Sequence, residues 1–278
     1  MSLTLDTYVA APSPVEGELR RLFVLDDVRV VFDIGSCEGE DSIRYARLFP
    51  NATVYAAEPL PRNLPRLHEN LRRHNASSVE VLPFAFSDAS GSAQFYVSAG
   101  QPDDRPHGDQ WDYGNKSSSL FPPDKHLEIH PWVRFDQVIQ VQTDTLANFC
   151  ASRQIDTIDF IHMDVQGAEL KVLAGAGDLI SRIKAVWTEV ERIPLYAGQP
   201  LKSDVERFME DHAFLKLKDT VGAVSGDQLF VNRALVRVPV RIRAARSAPV
   251  VFGLRVGRRV GQMIRVIARR SARLIHPD

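Results

Sequence analysis

From Val28 onward, short runs of β-branched and aromatic residues alternate with longer stretches whose apolar positions recur every three or four residues. The first kind suits buried strands and the second suits amphipathic helices, so the alternation predicts an α/β domain on a parallel sheet. Residues 28–34 read as the first strand, 35–39 as a tight turn, and 40–49 as a helix that Pro50 and Asn51 stop. Strands are also predicted at 53–57, at 79–86 and, after Gly91, through Phe95 and Tyr96. Leu64, Leu67 and Leu71 at helical spacing mark a crossover helix over 63–74.

Between residues 98 and 135 the periodicity disappears, and Pro, Gly, Asp, His and Trp dominate, as in a lid or binding loop. The alternation resumes with strands at 158–163 and 184–190 and helices at 168–174 and 203–212. Residues 214–217 and 228–232 then read as a closing antiparallel pair. The chain therefore divides into an N-terminal cover segment (1–27), an α/β domain (28–235) that carries the 98–135 loop, and a tail (236–278).

Composition narrows this picture to an ordinary globular protein. With 278 residues, 44% hydrophobic and 25% charged, the chain can bury one substantial core, which excludes collagenous, disordered and disulfide-scaffold classes. Cys37 and Cys150 are too few and too far apart for a disulfide framework or a zinc site, and no group has diagnostic metal-ligand spacing, so no metal is expected. The first twenty residues lack the basic-then-apolar order of a secretory signal, and no apolar run is long enough to span a bilayer, so a cytoplasmic location is expected.

Charge is distributed unevenly. Residues 233–278 hold twelve arginines, no lysine and one acid, a net +11, so the remainder carries −12 and the whole chain −1. Val256, Val260, Met263, Ile264, Ile267, Leu274 and Ile275 fall near one helical face among those arginines. The tail reads as a helix lying on an anionic membrane surface, at the inner face, or equally as one packed on the acidic body. An arm on nucleic acid ranks below both, because interleaved aromatics are missing. Nothing in the sequence assigns an oligomeric state.

The turn after the first strand carries candidate chemistry. In VVFDIGSCEGED (30–41) an acid ends the strand, and Gly35 and Gly39 bracket a turn before a helix. A dinucleotide site would need a third glycine, and Asp33, Glu38 and Glu40 crowd the place of a pyrophosphate. That charge favours a cation, and S-adenosylmethionine carries an ammonium and a sulfonium. Asp33, Gly35, Ser36 and Gly39 are therefore candidates for its methionine end. Glu58, which follows the second strand, is the candidate for the ribose hydroxyls, and Phe86, Ser87 and Asp88 for the adenine pocket. The competing readings are a helix-capping Asp33 and an ordinary glycine turn.

The stretch DFIHMDVQGAELKVLAGA (159–176) resembles the strand-then-helix signature of the FkbM methyltransferases at Asp164, Val165, Gly167 and Glu169. VFDIG (31–35), AFSDASG (85–91) and SSSL (117–120) fall in the same order as in that family, so the resemblance spans about 28–232. Two positions depart from it: His162 stands where lysine is common, and Gln166 where glutamate is frequent. The resemblance implies a class I methyltransferase (Rossmann-like) fold, with a mostly parallel seven-stranded sheet, an antiparallel closing strand and helices on both faces. It also implies S-adenosylmethionine as donor and O-methylation of a hydroxyl on a sugar, glycan, glycolipid or natural product.

Methyl transfer to a hydroxyl requires alignment and is helped by a general base. Asp164, at the carboxyl edge of its strand, is the first candidate, with helix capping or ligand orientation as its alternatives. His162 points to the same face and is either a second base or a buried core histidine; Glu189 is a third candidate. Ser118, Ser119, His107, Trp111 and Glu191 are candidate acceptor-binding residues, the loop aromatics suiting the apolar faces of a sugar. Rival functions are an RNA methyltransferase, an inactive S-adenosylmethionine-binding regulator and, third, an NAD oxidoreductase.

Overall fold

The computed structural model describes residues 4–102 and 113–236, all within one compact unit (1–239). His107, Trp111 and the arginine-rich tail from residue 237 lie outside the described residues. The first helices, α1 (Leu5–Ala10) and α2 (Glu16–Leu22), lie in the cover segment; the Thr4 side chain caps α1 by accepting from the amide of Thr7. Strand β1 (Val30–Ile34) leads through the glycine turn into α3 (Glu40–Leu48), and β2 (Thr53–Ala57) into α4 (Leu64–Arg73), where Leu67 and Leu71 are buried.

The chain continues through β3 (Val79–Leu82), β4 (Ala85–Phe86), β5 (Gly91–Ala99), α5 (His126–Ile129), β6 (Arg134–Asp144) and α6 (Leu146–Ser152). It ends with β7 (Ile158–Met163), α7 (Glu169–Ala174), β8 (Ile183–Glu191), α8 (Lys202–Asp211), β9 (Phe214–Asp219) and β10 (Ser225–Asn232). Seven strands form one sheet in the order β3-β2-β1-β7-β8-β10-β9. All its pairings are parallel except those of β10, which runs against both neighbours. The order reverses between β1 and β7, and ligands of open α/β sheets bind at such a switch, beyond the strands' carboxyl ends.

Burial explains why these segments pair. Phe32, Ile34, Ile161 and Met163 alternate with other buried positions on β1 and β7, whose faces are both covered, as parallel strands require. Beneath the switch, Phe32 stacks on Tyr55 at 5.0 Å between ring centroids and meets Phe86 edge-on at 5.7 Å, fixing the floor on which the site is built. Among the described residues no helix is long and apolar enough to cross a membrane.

Two expectations are corrected. The strand expected over 79–86 divides at Pro83, which has no N–H for a sheet ladder: β3 pairs with β2, whereas β4 pairs with β6 in a second, three-stranded sheet ordered β4-β6-β5. The loop expected over 98–135 is shorter at both ends. The strand through Phe95 runs to Ala99 and pairs antiparallel with the unanticipated eleven-residue β6. In β6 the inward positions Ile139, Val141 and Thr143 are spaced by two, but exposed Gln137 and Val138 separate them from Phe135 and break the pattern.

Candidate active site

At the end of β1 the backbone turns through Gly35 (φ 84°) and Gly39 (φ 85°), and the amides of Gly35 and Ser36 both donate to Ala57 O at 3.0 Å. Glycine is required at 35 for a second reason: a Cβ there would lie 2.0 Å from the carbonyl oxygen of Asp164. The turn after β1 and the turn after β7 therefore touch, and the Asp164 amide donates to Ile34 O at 3.0 Å. A cavity opens above this junction, lined by Asp33, Ser36, Glu58, Phe86, His162 and Asp164 among others.

The β1–β2 side of this cavity is electrically settled. Asp33 is fully buried; it accepts from His162 Nδ1 at 2.7 Å and from the Ser42 hydroxyl. Glu38 pairs with Arg66 at 2.8 Å, Glu40 with Lys116, and Asp41 with Arg44 at 3.0 Å. Tyr8 of α1 closes the wall by donating its hydroxyl to Asp41 at 2.9 Å. Glu58 is buried, and its two oxygens accept from the amides of Leu60 and Cys37, each at 2.8 Å. Burial still outweighs those bonds and lifts its pKa to about 7. Around it Ala57, Ala85, Phe86, Phe95 and Leu120 form an apolar wall.

His162 shows two opposing effects. Burial pushes its pKa down, but the hydrogen bond and charge of Asp33, with help from Asp41 and Asp164, carry it up to about 9. It is therefore an imidazolium at neutral pH.

The β7–β8–β10 side is acidic. Gln166, in the turn after β7, donates from Nε2 to Asp164 Oδ1 at 2.6 Å and to Glu189 Oε2 at 2.9 Å. Glu189 Oε1 accepts from Ser225 at 3.0 Å. Burial, followed by the neighbouring charges of Asp164, Glu191 and Asp227, pushes Glu189 well above the usual carboxylate range. Burial followed by Glu169 and Asp164 lifts Glu191 to about 9; burial lifts Glu169 to about 7 and Asp227 to about 6. Among the described residues none of Asp164, Glu169, Glu189, Glu191 and Asp227 forms an ion pair.

Of the residues singled out in the sequence, Asp33, Gly35, Ser36, Glu58, Phe86, Ser118, His162 and Asp164 line the cavity. Asp164 does not cap α7: the N-cap is Ala168, without a side-chain bond, and α3 likewise starts at Gly39 rather than on Asp33. Gly39 is not among the lining residues; it faces Leu67 and Leu71 of α4. Ser87 and Asp88 are also displaced from the cavity, because Asp88 turns outward to pair with Lys171 at 3.1 Å and takes a 3.0 Å bond from Ser87. Ser119 is buried and donates to Gln166 O at 2.7 Å, and Glu189 and Glu191 stand behind the wall.

The acids expected to crowd the glycine turn do so, but Arg66, Lys116 and His162 neutralise them, which removes the excess charge inferred from Asp33, Glu38 and Glu40. Sequence reasoning missed Tyr8, Asn115, Lys116 and Asp227. Asn115 and Lys116 could have been found as the residues directly before SSSL; Asn115 Nδ2 donates to Asn63 Oδ1 at 3.0 Å. Asp227 had no sequence signal, since only the antiparallel register of β10 sets it opposite Glu189.

The family model described as the methyltransferase FkbM domain matches residues 33–216. Over 207 residues the chain is 34% identical to the 2-O-methyltransferase NoeI of Sinorhizobium fredii, a match covering 74% of this chain and 80% of that protein. It is 24% identical to Methyltransferase 1 of Beauveria bassiana, over 55% of this chain and 60% of that one. Among solved structures, precorrin-6y C5,15-methyltransferase from Geobacter metallireducens aligns over 80% of this chain and 93% of its own, with 14% identity and a TM-score of 0.41.

Proposed function

The chain belongs to the FkbM methyltransferase family, and from that premise we propose that it methylates a hydroxyl of a sugar-like acceptor, with Asp164 as general base. The donor of this family is S-adenosylmethionine, and the residues lining the cavity fit its parts. Glu58, fixed by two amides, offers a carboxylate to vicinal ribose hydroxyls. Ala57, Ala85 and Phe86 suit a flat base, and Ser36, whose buried hydroxyl has no partner among the described residues, suits the amino-acid end. Asp33, already committed to His162 and Ser42, orients the imidazolium instead. When bound, the donor supplies a methyl group activated by positive sulfur.

The protein's remaining tasks are to align an acceptor oxygen and take its proton. His162 holds its own proton to about 9 and so cannot accept another at neutral pH. Glu189 is committed to Gln166 and Ser225. Among the described residues Asp164 has only Oδ1 engaged, and it lines the cavity, which is the observation that carries the reading. Oxygen as the methylated atom is supported by the 2-O-methyltransferase name of the Sinorhizobium relative. The cations that line the cavity among the described residues, Lys116 and His162, are already paired with Glu40 and Asp33, which argues against a polyphosphate acceptor such as RNA.

Incubation with S-adenosylmethionine labelled in its methyl group and a panel of methyl hexopyranosides is expected to give mono-O-methyl glycosides, identified by mass spectrometry. Label recovered only in RNA, or in none of the pyranosides, would overturn this reading.

A further inference from the structure

Gln166 occupies a costly backbone position and makes four bonds from it. Its φ of 54° lies in the left-handed region, which disfavours a residue with a Cβ, and Gly167 follows at 95°. Nε2 bridges Asp164 Oδ1 (2.6 Å) and Glu189 Oε2 (2.9 Å), using both amide protons. At the other end, Tyr196 Oη lies 2.8 Å from Gln166 Oε1 and 2.8 Å from Ser117 O, so its single proton is shared between them. The main-chain oxygen of Gln166 takes the Ser119 hydroxyl at 2.7 Å. One residue thus joins the turn after β7, the end of β8 and, through its main-chain oxygen and Tyr196, the segment 117–119 at the cavity wall.

We propose that Gln166 is a positioning residue for methyl transfer, holding the Asp164 carboxylate by Oδ1 so that Oδ2 stays free for the acceptor hydroxyl. The inference rests on the reading of Asp164 as the base. A primary amide suits this place because it alone among side chains of this length presents two donors to two carboxylates and an acceptor to a phenol. A glutamate there offers at most one proton, and only when protonated, so it cannot donate to both carboxylates as the amide does. Tyr196 is buried and packs against His126, with a ring-centroid separation of 5.4 Å, so the far end of the amide is anchored in the protein interior.

The test compares Asp164→Asn, Gln166→Glu and Gln166→Met, assayed with the methyl hexopyranoside that turns over fastest. Gln166→Glu is expected to lower kcat by about 10-fold or more at neutral pH and to move the acid limb of the kcat profile upward by about one pH unit. Gln166→Met, similar in length but without strong donors, is expected to lower kcat comparably with KM within about threefold. Calorimetric affinity for S-adenosylhomocysteine should stay within about twofold in both, since neither cofactor-end bond is touched.

Unchanged kcat and an unchanged pH profile in the Gln166 variants, with Asp164→Asn inactive, would overturn the positioning role and leave the base intact. Full activity in Asp164→Asn would instead overturn the base. Should the Gln166 variants fail to fold, Tyr196→Phe applies the same test from the other end: kcat is expected to fall about threefold at constant KM, and an unchanged kcat would contradict the proposal.

Discussion

The two sides of one cavity treat charge in opposite ways. Where β1 and β2 end, Asp33, Glu38, Glu40 and Asp41 each meet a cation, and Glu58 meets two backbone amides. Where β7, β8 and β10 meet, Asp164, Glu169, Glu189, Glu191 and Asp227 have hydrogen bonds at most and no ion pair among the described residues. Paired acids hold their geometry with or without a ligand, so the first side is preorganised for binding. Unpaired buried acids answer to pH and to whatever is bound, so the second side suits proton transfer.

The comparison breaks most sharply on Asp164. Asp164→Asn is expected to cut kcat by roughly 10²- to 10⁴-fold, the usual worth of a general base, while S-adenosylhomocysteine affinity by calorimetry changes less than about threefold. Equal losses of binding and rate would mean that the two sides are not separate. The converse substitution, Glu58→Gln, is expected to weaken S-adenosylhomocysteine binding by about 10-fold or more, the cost of a hydrogen bond to a charged acceptor. With Glu58 ionising at about 7, wild-type affinity should rise between pH 6 and 8, and the variant should lose that dependence.

A smaller effect is expected on stability. The pKa of Glu191 is about 9 in the folded chain against an ordinary 4.5, so between those values the folded state keeps a proton that the unfolded state releases. Stability from this group is full below about 4.5 and is lost as pH rises toward 9. Glu191→Gln removes that loss, so its melting temperature should exceed that of wild type by several degrees at pH 8, with the gap closing toward pH 5. Smallest of all, Asp88→Ala should leave melting temperature within about 1 °C and cofactor affinity within about twofold, because the Lys171 pair is a surface one. A larger loss of affinity would return Asp88 to the adenine pocket.

How much of this was legible depended on sequence distance. The glycine turn and Glu58 could be read because strand, turn, helix and strand are local signals, and Asp164 because it ends a strand at the sheet's carboxyl edge. The settlement of charge could not, because Asp33, Glu40 and Glu38 find partners 129, 76 and 28 residues away. Strand β6 was hidden by the glutamines and exposed Val138 that interrupt its apolar period, and β4 by its proximity to β3. Gln166 was visible only as a departure from a family pattern, whereas its two carboxylate contacts depend on β8 lying beside β7.

A crystal structure with S-adenosylhomocysteine and a methylated pyranoside's parent glycoside would test the division of labour most directly. The expected result is an acceptor hydroxyl about 3 Å from Asp164 Oδ2, with Gln166 still bridging Asp164 and Glu189 and the nucleoside beside Glu58. An acceptor hydroxyl beyond hydrogen-bond reach of Asp164, with the sugar seated on the β1–β2 side, would contradict it.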